Sequence, residues 1–540
     1  MKNHDQLFDK LRVITTLQHF IDRPYLAGYT GPNTNFIMVV KEIVENSLSG
    51  AYEISVPPEV VMDIECVDEG TGTYRITAAD NGSGIPADKI QIALCKLATT
   101  KGLRHRQEMG QIGFGIKGVL GLSTKMQSRP ILTISKFIGS DEYQLYVWRL
   151  NYLQEKMDVV ESSVSRSPPL GRVESAFVRE CLRKRGFEHG LLLEFYFTDL
   201  NYTKAVDDYL HQIHFAHPAS SITVRKPDGS VVSLERVTES LPPLPKEVLP
   251  PITGVSVGEL LRACGETKDR TVATLLRRRF HGVPPKYIRT ISRDQRIREL
   301  LSLHPRKLDY QGGEEILNAL KRLPVVPYRE SVLSLIGEEN IRRMVASLYG
   351  DRVRFVDVVS RPQRTYGGGA FQVECCLAEI SDLPETVVLR YANKSPLLIH
   401  RSKCDIHNLI TQEINWKQYG IMEETPVLFV AHLTATSLPF YSSAKTSLIL
   451  PDEIKNEFRL ALLELGRRYA RRFTRKQIMR QQLERDARLY RSLVALAGEI
   501  AALAKKKKVP PVDAMFERIV GKERARRVIE NGKSGVRQDS

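Results

Sequence analysis

A carboxylate and an amide, one helical turn apart, are the first residues in this 540-residue chain whose spacing suits chemistry. Glu42 and Asn46 stand four residues apart in the segment Glu42-Ile-Val-Glu45-Asn46, so a helix presents both on one face. A carboxylate can orient and deprotonate an attacking water, and an amide oxygen suits Mg²⁺, a hard cation that prefers oxygen ligands. Any solvated helix can carry the same pair, so this spacing alone is weak evidence and a plain surface is the favoured interpretation.

A second group of residues comes directly after a predicted strand. Asp80 opens the run Asp80-Asn-Gly82-Ser-Gly84-Ile-Pro. An aspartate at a strand end can accept a hydrogen bond from an exocyclic amine such as that of adenine, and adjacent glycines let a flat base approach the backbone. The alternative is an ordinary Asp-Asn-Gly turn without a ligand.

A third feature is a cluster of glycines where a helix is predicted to begin. Such glycines present backbone N–H groups and the positive end of the helix dipole to phosphates. Their spacing differs from that of a P-loop and from that of a dinucleotide-binding loop. The segment consists of Gly110, Gln111, Ile112, Gly113, Phe114, Gly115, Ile116 and Lys117, followed by Gly118.

The elements around these three motifs predict an α+β domain over residues 1–225 with one predominantly antiparallel sheet. Apolar residues at helical spacing predict a helix over 36–50 that ends at Gly50. A further helix is predicted over 87–97, and another resumes at Ile116. Predicted strands cover 60–66, 73–78, 131–137, 144–150 and 191–197.

Two further regions follow the first domain. A proline-rich stretch over 241–254 predicts a linker. Short helices predicted over 257–264, 271–279 and 285–291 indicate a small helical domain. A second α+β domain begins near Leu323, with strands predicted over 353–359, 371–379, 386–391 and 426–433 and a helix over 452–471; a basic helical tail follows it.

The charge balance indicates a polyanionic partner. Lys and Arg total 79 against 63 Asp and Glu, which gives a net charge of +16. Nucleic acid is favoured over an anionic membrane, with an unspecialised basic surface as the plain alternative. No apolar run reaches the length of a membrane span, and no signal peptide is recognisable.

The number and spacing of the cysteines indicate the cellular compartment. The seven cysteines are odd in number and form no Cys-x-x-Cys pair, so we expect reduced thiols in a cytosolic or nuclear protein without structural zinc.

In order and spacing, the three motifs resemble the N, G1 and G2 boxes of GHKL (Bergerat-fold) ATPases. Over nearly its whole length the chain is most similar to the B subunits of type IIB DNA topoisomerases, the topoisomerase VI family. The segments that carry this resemblance include HFIDRPYLAGYTGPNTNFIMVVKEIVENSLSGAYE, GVSVGELLRACGETKDRTVATLLRRRF, SRPQRTYGGGAFQVE, LRYANKSPLL and INWKQYG.

The resemblance implies a multidomain α+β architecture. Its parts are an N-terminal strap at 1–35, a GHKL ATPase sandwich at 36–235, a linker with a helix–two-turns–helix insert at 236–305, a ribosomal-S5-like transducer at 306–475 and a basic helical C-terminal tail at 476–540.

The resemblance also implies roles for single residues. Glu42 is the expected general base, Asn46 the expected Mg²⁺ ligand, and Asp80 the expected partner of the adenine amine. Lys417, in the segment Asn415-Trp-Lys417, is expected to reach the γ-phosphate from the transducer and to act in catalysis. The remaining expected ATP contacts are Gly82, Gly84, Thr100 and Lys101 of the lid, and Gly110, Gln111, Ile112, Gly113, Phe114, Gly115, Ile116 and Lys117 around the phosphates.

Three positions depart from the family pattern. Ser49-Gly50 replace the usual Asp-Ala, and glycine weakens a helix. Leu191 stands after Gly190 where the family has a threonine whose hydroxyl contacts the adenine site through water. These changes put nucleotide affinity and turnover in question and leave the base, metal ligand and phosphate loop in place.

The implied function is ATP-dependent gating of DNA in a cytoplasmic, nucleoid-associated A₂B₂ heterotetramer. Two copies are expected to dimerise on ATP and trap double-stranded DNA, and a topoisomerase VI A subunit is expected to cut it. Arg277, Arg278, Arg279, Lys286 and Arg289 are candidates for phosphate contacts or for a solvated helix face. The alternatives are a scaffold that binds ATP poorly and holds a DNA-cleaving partner, or another GHKL machine, which the helical insert and the NWKQYG segment disfavour.

Overall fold

The computed structural model describes residues 15–96, 105–109, 115–328, 330–398, 400–438, 448–504 and 511–535. The chain divides into two compact units. One consists of Met1–Ile414 with Glu424–Leu465, and the other of Asn415–Glu423 with Gly466–Ser540.

The first part of the larger unit is an eight-stranded sheet covered by helices. The strand order is β5-β4-β3-β6-β2-β1-β7-β8, and every neighbouring pair is antiparallel except β1 and β7. Its elements are α1 (Thr16–Asp22), α2 (Pro32–Glu53), β1 (Glu59–Asp68), β2 (Thr73–Asp80), α3 (Ile90–Cys95), α4 (Gly115–Met126), β3 (Ile131–Lys136), β4 (Tyr143–Asn151), β5 (Lys156–Ser165), α5 (Ala176–Arg185), β6 (Gly190–Phe197), α6 (Lys204–Ala216), β7 (Ser221–Arg225) and β8 (Val231–Leu234). The predicted antiparallel α+β domain is confirmed.

Helix α2 carries the first motif and is held by its apolar face. Phe36, Val40 and Leu48 are buried in the core beneath the sheet, and the Phe36 ring packs edge-on against Tyr74. The prediction that Gly50 ends this helix was wrong, because the helix continues to Glu53. Gly50 serves instead as a packing position, where the backbone of Gly82 approaches the helix.

A bundle of five helices follows the proline-rich segment. These helices are α7 (Val257–Glu266), α8 (Val272–Arg279), α9 (Pro285–Ile291), α10 (Gln295–Ser302) and α11 (Tyr310–Lys321). Their buried apolar residues form one cluster, which includes Leu260, Leu276 and Leu317. Helix α7 begins with a capping box in which Ser256 and Glu259 satisfy each other's backbone N–H groups.

The second sheet contains six strands in the order β10-β11-β14-β12-β13, and β9 pairs with residues 374–380 of β11, beyond the residues 369–371 that pair with β10. The elements are α12 (Glu338–Tyr349), β9 (Val353–Ser360), β10 (Arg364–Tyr366), β11 (Gly369–Ile380), β12 (Val387–Ala392), β13 (Ser395–Pro396), α13 (Asp405–Asn408), β14 (Val427–Ala435) and α14 (Asp452–Leu503). The four strands predicted here are all present. Helix α14 extends well beyond the predicted 452–471.

The C-terminal helices are α15 (Val512–Val520) and α16 (Lys522–Gly535), which bury Phe516, Ala525 and Val528. All seven cysteines are free thiols. Within the residues that the structure describes, no helix is both long and apolar enough to traverse a lipid bilayer.

Candidate nucleotide-binding site

A cavity of about 530 Å³ lies against one face of α2, the end of β2 and the start of α4. Its lining brings together Glu42, Asn46, Asp80 and Lys117, which lie in three separate motifs of the sequence. Its volume is that of a typical small-molecule site.

One part of the cavity lining, the strand-end wall, consists of Asp80, Gly82 and Gly84, with Gly190 packed directly behind Asp80. Asp80 is buried at the end of β2. Its Oδ1 accepts the backbone N–H of Gly82 at 2.9 Å and that of Leu191 at 3.2 Å, and its Oδ2 accepts the Ser47 hydroxyl at 3.0 Å.

These hydrogen bonds bear on the charge of Asp80. Burial raises the pKa of this carboxyl, while the three donors act in the opposite direction because they stabilise the charged form. An acceptor that is held in this way at the wall of a cavity suits an exocyclic amine.

The glycines of the strand-end wall are required by close backbone contacts. Gly84 has a φ of +64°, and a Cβ there would lie 2.1 Å from the Lys136 carbonyl oxygen. Gly190 has a φ of +133°, and a Cβ there would lie 2.0 Å from the Asp80 carbonyl oxygen. No side chain fits at Gly84 unless the backbone at Lys136 moves, or at Gly190 unless the backbone at Asp80 moves.

The start of α4 lies directly against Glu42. A Cβ added to Gly115 would lie 2.4 Å from Glu42 Oε2 and 3.6 Å from Asn46 Nδ2. The glycine therefore lets the N-terminus of a helix approach the carboxylate and amide of α2. Helix N-termini attract anions, so phosphates placed here would lie next to the predicted base.

A buried lysine holds the carboxylates of α2. Lys41 Nζ lies 3.3 Å from Glu42 Oε1 and 2.8 Å from Glu45 Oε2. Burial alone would lower the pKa of Lys41, but the two carboxylates outweigh burial and raise it, so the lysine is a permanent cation. Sequence reasoning missed Lys41, because its position beside Glu42 carries no motif signal.

Asn46 is placed to ligate a cation through its side-chain oxygen. Its Nδ2 donates to the Glu42 carbonyl oxygen one turn earlier at 2.5 Å, so its Oδ1 is the atom that is oriented as a ligand. Among the described residues, no cluster of three or more His, Cys, Asp or Glu side chains could hold a metal ion. A single oxygen ligand fits Mg²⁺ that is held mainly by phosphate oxygens and water.

Several predicted contacts lie outside the described residues: Thr100, Lys101, Gly110, Gln111, Ile112, Gly113 and Phe114. Of the glycine-rich segment, the structure describes Gly115, Ile116 and Lys117, and all three line the cavity. Gly82 and Gly84 also line it.

Lys417 lies in the smaller unit, in the short helix Trp416–Tyr419. Its side chain is largely exposed, and its Nζ lies 3.0 Å from Glu423 Oε1. Its expected contact with the γ-phosphate stays a prediction.

A second part of the cavity lining, the turn wall, was not predicted. It consists of Asn393 and Lys394, in the tight turn between β12 and β13 of the second sheet, and Ser395 follows them directly at the start of β13. Asn393 and Lys394 both have positive φ, at +49° and +66°, as a two-residue hairpin turn requires. All three residues are buried.

The turn wall is anchored by polar contacts. Lys394 Nζ donates to Ser334 Oγ at 2.7 Å, and Gln107 exchanges two hydrogen bonds with the Ser334 backbone. Asn393 Nδ2 donates to the Glu108 carbonyl oxygen at 3.0 Å. Burial lowers the pKa of Lys394 to about 7. The only available sequence signal was the Asn-Lys pair, which favours a left-handed turn and says nothing about a cavity.

The departures from the family pattern are structurally mild. A Cβ on Gly50 would meet only the Cα of Gly82, at 3.6 Å, so glycine is not required there. Leu191 keeps its backbone N–H on Asp80 Oδ1, although its side chain offers no hydroxyl. Both observations agree with an intact nucleotide cavity.

Comparisons with known proteins match this arrangement. Residues 34–174 match the family of histidine kinase-, DNA gyrase B- and HSP90-like ATPases, and residues 328–485 match the topoisomerase VI B subunit transducer. Together these two matches cover more than half of the chain.

Relatives match nearly from end to end. The B subunit of type 2 DNA topoisomerase 6 from Archaeoglobus fulgidus is 27% identical, over 98% of this chain and 85% of its own length. Proteins of the same name from Sulfurisphaera tokodaii and Methanothermobacter thermautotrophicus are 29% and 26% identical, over 87% and 95% of this chain and 86% and 96% of their own lengths.

Among solved structures, the ATPase region of Saccharomyces cerevisiae topoisomerase II aligns with a TM-score of 0.39 and 10% identity, over 85% of this chain and 99% of that one. This similarity is too low to support an inference.

The fold and the cavity define a GHKL-type ATPase domain joined to a transducer domain. The chain's recognition as a member of the topoisomerase VI B subunit family is thereby confirmed.

Proposed function

We propose that this chain is the ATP-binding and ATP-hydrolysing B subunit of a type IIB DNA topoisomerase. The observation that carries the proposal is the convergence of Glu42, Asp80 and Gly115 on one cavity. A base, an amine acceptor and a helix N-terminus are the three groups that an ATP-hydrolysing site needs, and chance does not bring them together from separate segments.

The residues fit ATP and Mg²⁺ in a definite orientation. Asp80 and its glycines would hold the adenine, and the start of α4 with Lys117 would hold the phosphates. Asn46 would supply one oxygen to Mg²⁺, which would neutralise charge on the phosphates. Glu42 lies at the phosphate end, where it would orient and deprotonate the attacking water.

ATP would act on DNA through closure of a clamp. Two copies would dimerise when ATP binds, the N-terminal strap would reach the second copy, and Lys417 would contact the γ-phosphate. An A subunit would supply the DNA-cleaving chemistry, so that relaxation and decatenation need an A₂B₂ assembly. The net charge of +16 supports contact with DNA phosphates.

A second candidate is a scaffold that binds ATP poorly and holds a DNA-cleaving partner. It rests on the departures at Ser49, Gly50 and Leu191. The room for a Cβ at Gly50 and the retained Leu191 N–H bond argue against it, because neither departure damages the cavity.

The primary test is ATP hydrolysis by the full chain and by Glu42→Ala. We expect the wild type to hydrolyse ATP and the variant to lose about 100-fold or more in kcat while still binding a non-hydrolysable ATP analogue. Analogue binding without hydrolysis in the wild type would favour the scaffold.

The topoisomerase activity itself is tested by copurification with the product of a neighbouring gene. The complex should relax supercoiled DNA and decatenate linked circles in an ATP-dependent manner. If ATP-driven dimerisation occurs but no plausible A subunit supports strand passage, the topoisomerase assignment fails and the ATPase assignment stands.

A further inference from the structure

A continuous line of buried polar contacts joins the predicted base to the second sheet. Glu42 pairs with Lys41, Lys41 pairs with Glu45, and the second oxygen of Glu45 accepts a hydrogen bond from the Ser395 hydroxyl. Glu45 and Ser395 are separated by 350 residues in the chain. Ser395 is thus the point at which β13 touches the ion pairs of α2.

The residues that join α2 to β13 in this line are almost completely buried. Lys41, Glu45 and Ser395 expose 6%, 3% and 7% of their surfaces. A buried carboxylate that loses a donor keeps its full desolvation cost, so the Ser395 hydroxyl matters energetically. The other titratable groups near these carboxylates are the buried phenols of Tyr29 and Tyr209, whose pKa values are raised by burial first and by the carboxylates second, so both remain neutral.

The geometry also shows how Ser395 can influence Glu42. Lys41 is shared unequally, because its Nζ is nearer to Glu45 than to Glu42. The Ser395 hydroxyl stabilises part of the negative charge of Glu45. Because of this hydrogen bond, Glu45 attracts the Lys41 ammonium less strongly, and the ammonium stays closer to Glu42. Withdrawal of the hydroxyl would shift Lys41 towards Glu45 and release the Glu42 carboxylate from its position.

The turn that precedes Ser395 is also hydrogen-bonded to the second sheet. The Lys394 backbone N–H donates to His432 Nε2 at 3.0 Å, and His432 Nδ1 lies 2.8 Å from Glu374 Oε2. Because the Lys394 N–H is bonded to β14 through His432, a displacement of the second sheet would move Ser395 with it. The Lys394 carbonyl oxygen lies 3.2 Å from His217 Nε2, at the end of α6 and so outside the second sheet.

We propose that Ser395 is a positioning residue for ATP hydrolysis. It acts on the base Glu42 through Glu45 and Lys41, so hydrolysis depends on the position of the second sheet relative to α2. The inference rests on the proposed ATPase function and adds to it a contact between α2 and the second sheet.

The test is steady-state ATP hydrolysis by the full chain and by Ser395→Ala. We expect kcat to fall about five-fold while KM for ATP and the affinity for a non-hydrolysable analogue stay within about two-fold. Ser395→Thr, which keeps the hydroxyl, should recover most of the wild-type kcat. Ser402→Ala, at an exposed serine of the same domain, should leave kcat unchanged.

A double-mutant cycle separates positioning from general damage. In a Glu45→Gln background the line of charge is already broken, so Ser395→Ala should change kcat by less than about 1.5-fold. Equal effects of Ser395→Ala in both backgrounds would overturn the proposal. Loss of analogue binding or a large fall in Tm in Ser395→Ala would also overturn it, since Ser395 would then be structural.

The outcome is distinct from failure of the proposed function. A wild-type chain that does not hydrolyse ATP would overturn both proposals. A chain whose hydrolysis depends on Glu42 and is insensitive to Ser395→Ala would overturn this inference alone.

Discussion

The strand-end wall and the turn wall face one cavity but are built by different means. In the strand-end wall, backbone approaches backbone so closely that Gly84 and Gly190 exclude any Cβ. In the turn wall, buried polar side chains from distant segments hold each other in place, as Lys394 and Ser334 do. The first wall depends on shape and the second on charge and hydrogen bonding, so the two should respond to different perturbations.

The largest expected effect belongs to the strand-end wall. Gly190→Ala should destabilise the protein by about 3 kcal/mol or more and abolish binding of an ATP analogue, because the new Cβ would overlap the Asp80 carbonyl oxygen. Chemical denaturation and analogue titration measure the two effects. Gly171→Ala is the matched control, since a Cβ there meets nothing within 4 Å. If Gly190→Ala binds the analogue as tightly as the wild type does, the strand-end wall does not depend on close backbone packing, and the distinction from the turn wall is lost.

An intermediate effect is expected for the turn wall, and it should depend on pH. The pKa of Lys394 is about 7 in the folded protein against an ordinary value of 10.5. Between these values the unfolded chain binds a proton that the folded chain does not, so this residue makes stability rise with pH. The stability of Lys394→Met relative to the wild type should therefore fall by about 2 kcal/mol from pH 7 to pH 9.

Denaturation midpoints of both proteins across this pH range check that prediction. Comparing the two proteins at each pH cancels the titration of all other groups. A stability difference that does not vary with pH would show that Lys394 is not buried as a titrating group, and the turn wall would then resemble the strand-end wall.

The smallest effect is expected at Gly50, which also lines the cavity. Gly50→Ala should stabilise the protein by about 0.5–1 kcal/mol, because alanine favours the interior of α2 and its Cβ has room beside Gly82. Analogue affinity should stay within about two-fold. A measurable loss of affinity would mean that Gly50 is as necessary as Gly190.

The strand-end wall and the turn wall also differ in how much of each the sequence predicts. Asp80, its glycines and Glu42 were predicted because their functions depend on spacing within short segments. Helix α2 and most strands near the site were predicted from periodicity, while β7 was missed. Its parallel pairing with β1 depends on a partner about 160 residues away, which local alternation does not specify.

The turn wall could not be predicted for a related reason. Lys41, Lys394 and Ser395 are common residue types, and only folding brings Lys394 to the cavity and places Lys41 and Ser395 beside Glu45. The end of α2 was also misplaced, because the helix keeps its buried apolar face through Leu48 and Ala51, which outweighs the helix-breaking tendency of Gly50. The roles of Lys417 and of the predicted domain boundaries stay predictions.

The position of β6 between β3 and β2 has a consequence for the order of assembly during synthesis. All three nucleotide motifs lie within the first 120 residues, yet Asp80 receives one of its donors from Leu191 and β2 pairs with β6. A growing chain would therefore carry every recognisable motif long before it could hold a nucleotide. The strand-end wall becomes complete only when residues near 197 have left the ribosome and inserted into the sheet, so ATP can stabilise only chains that have folded past that point.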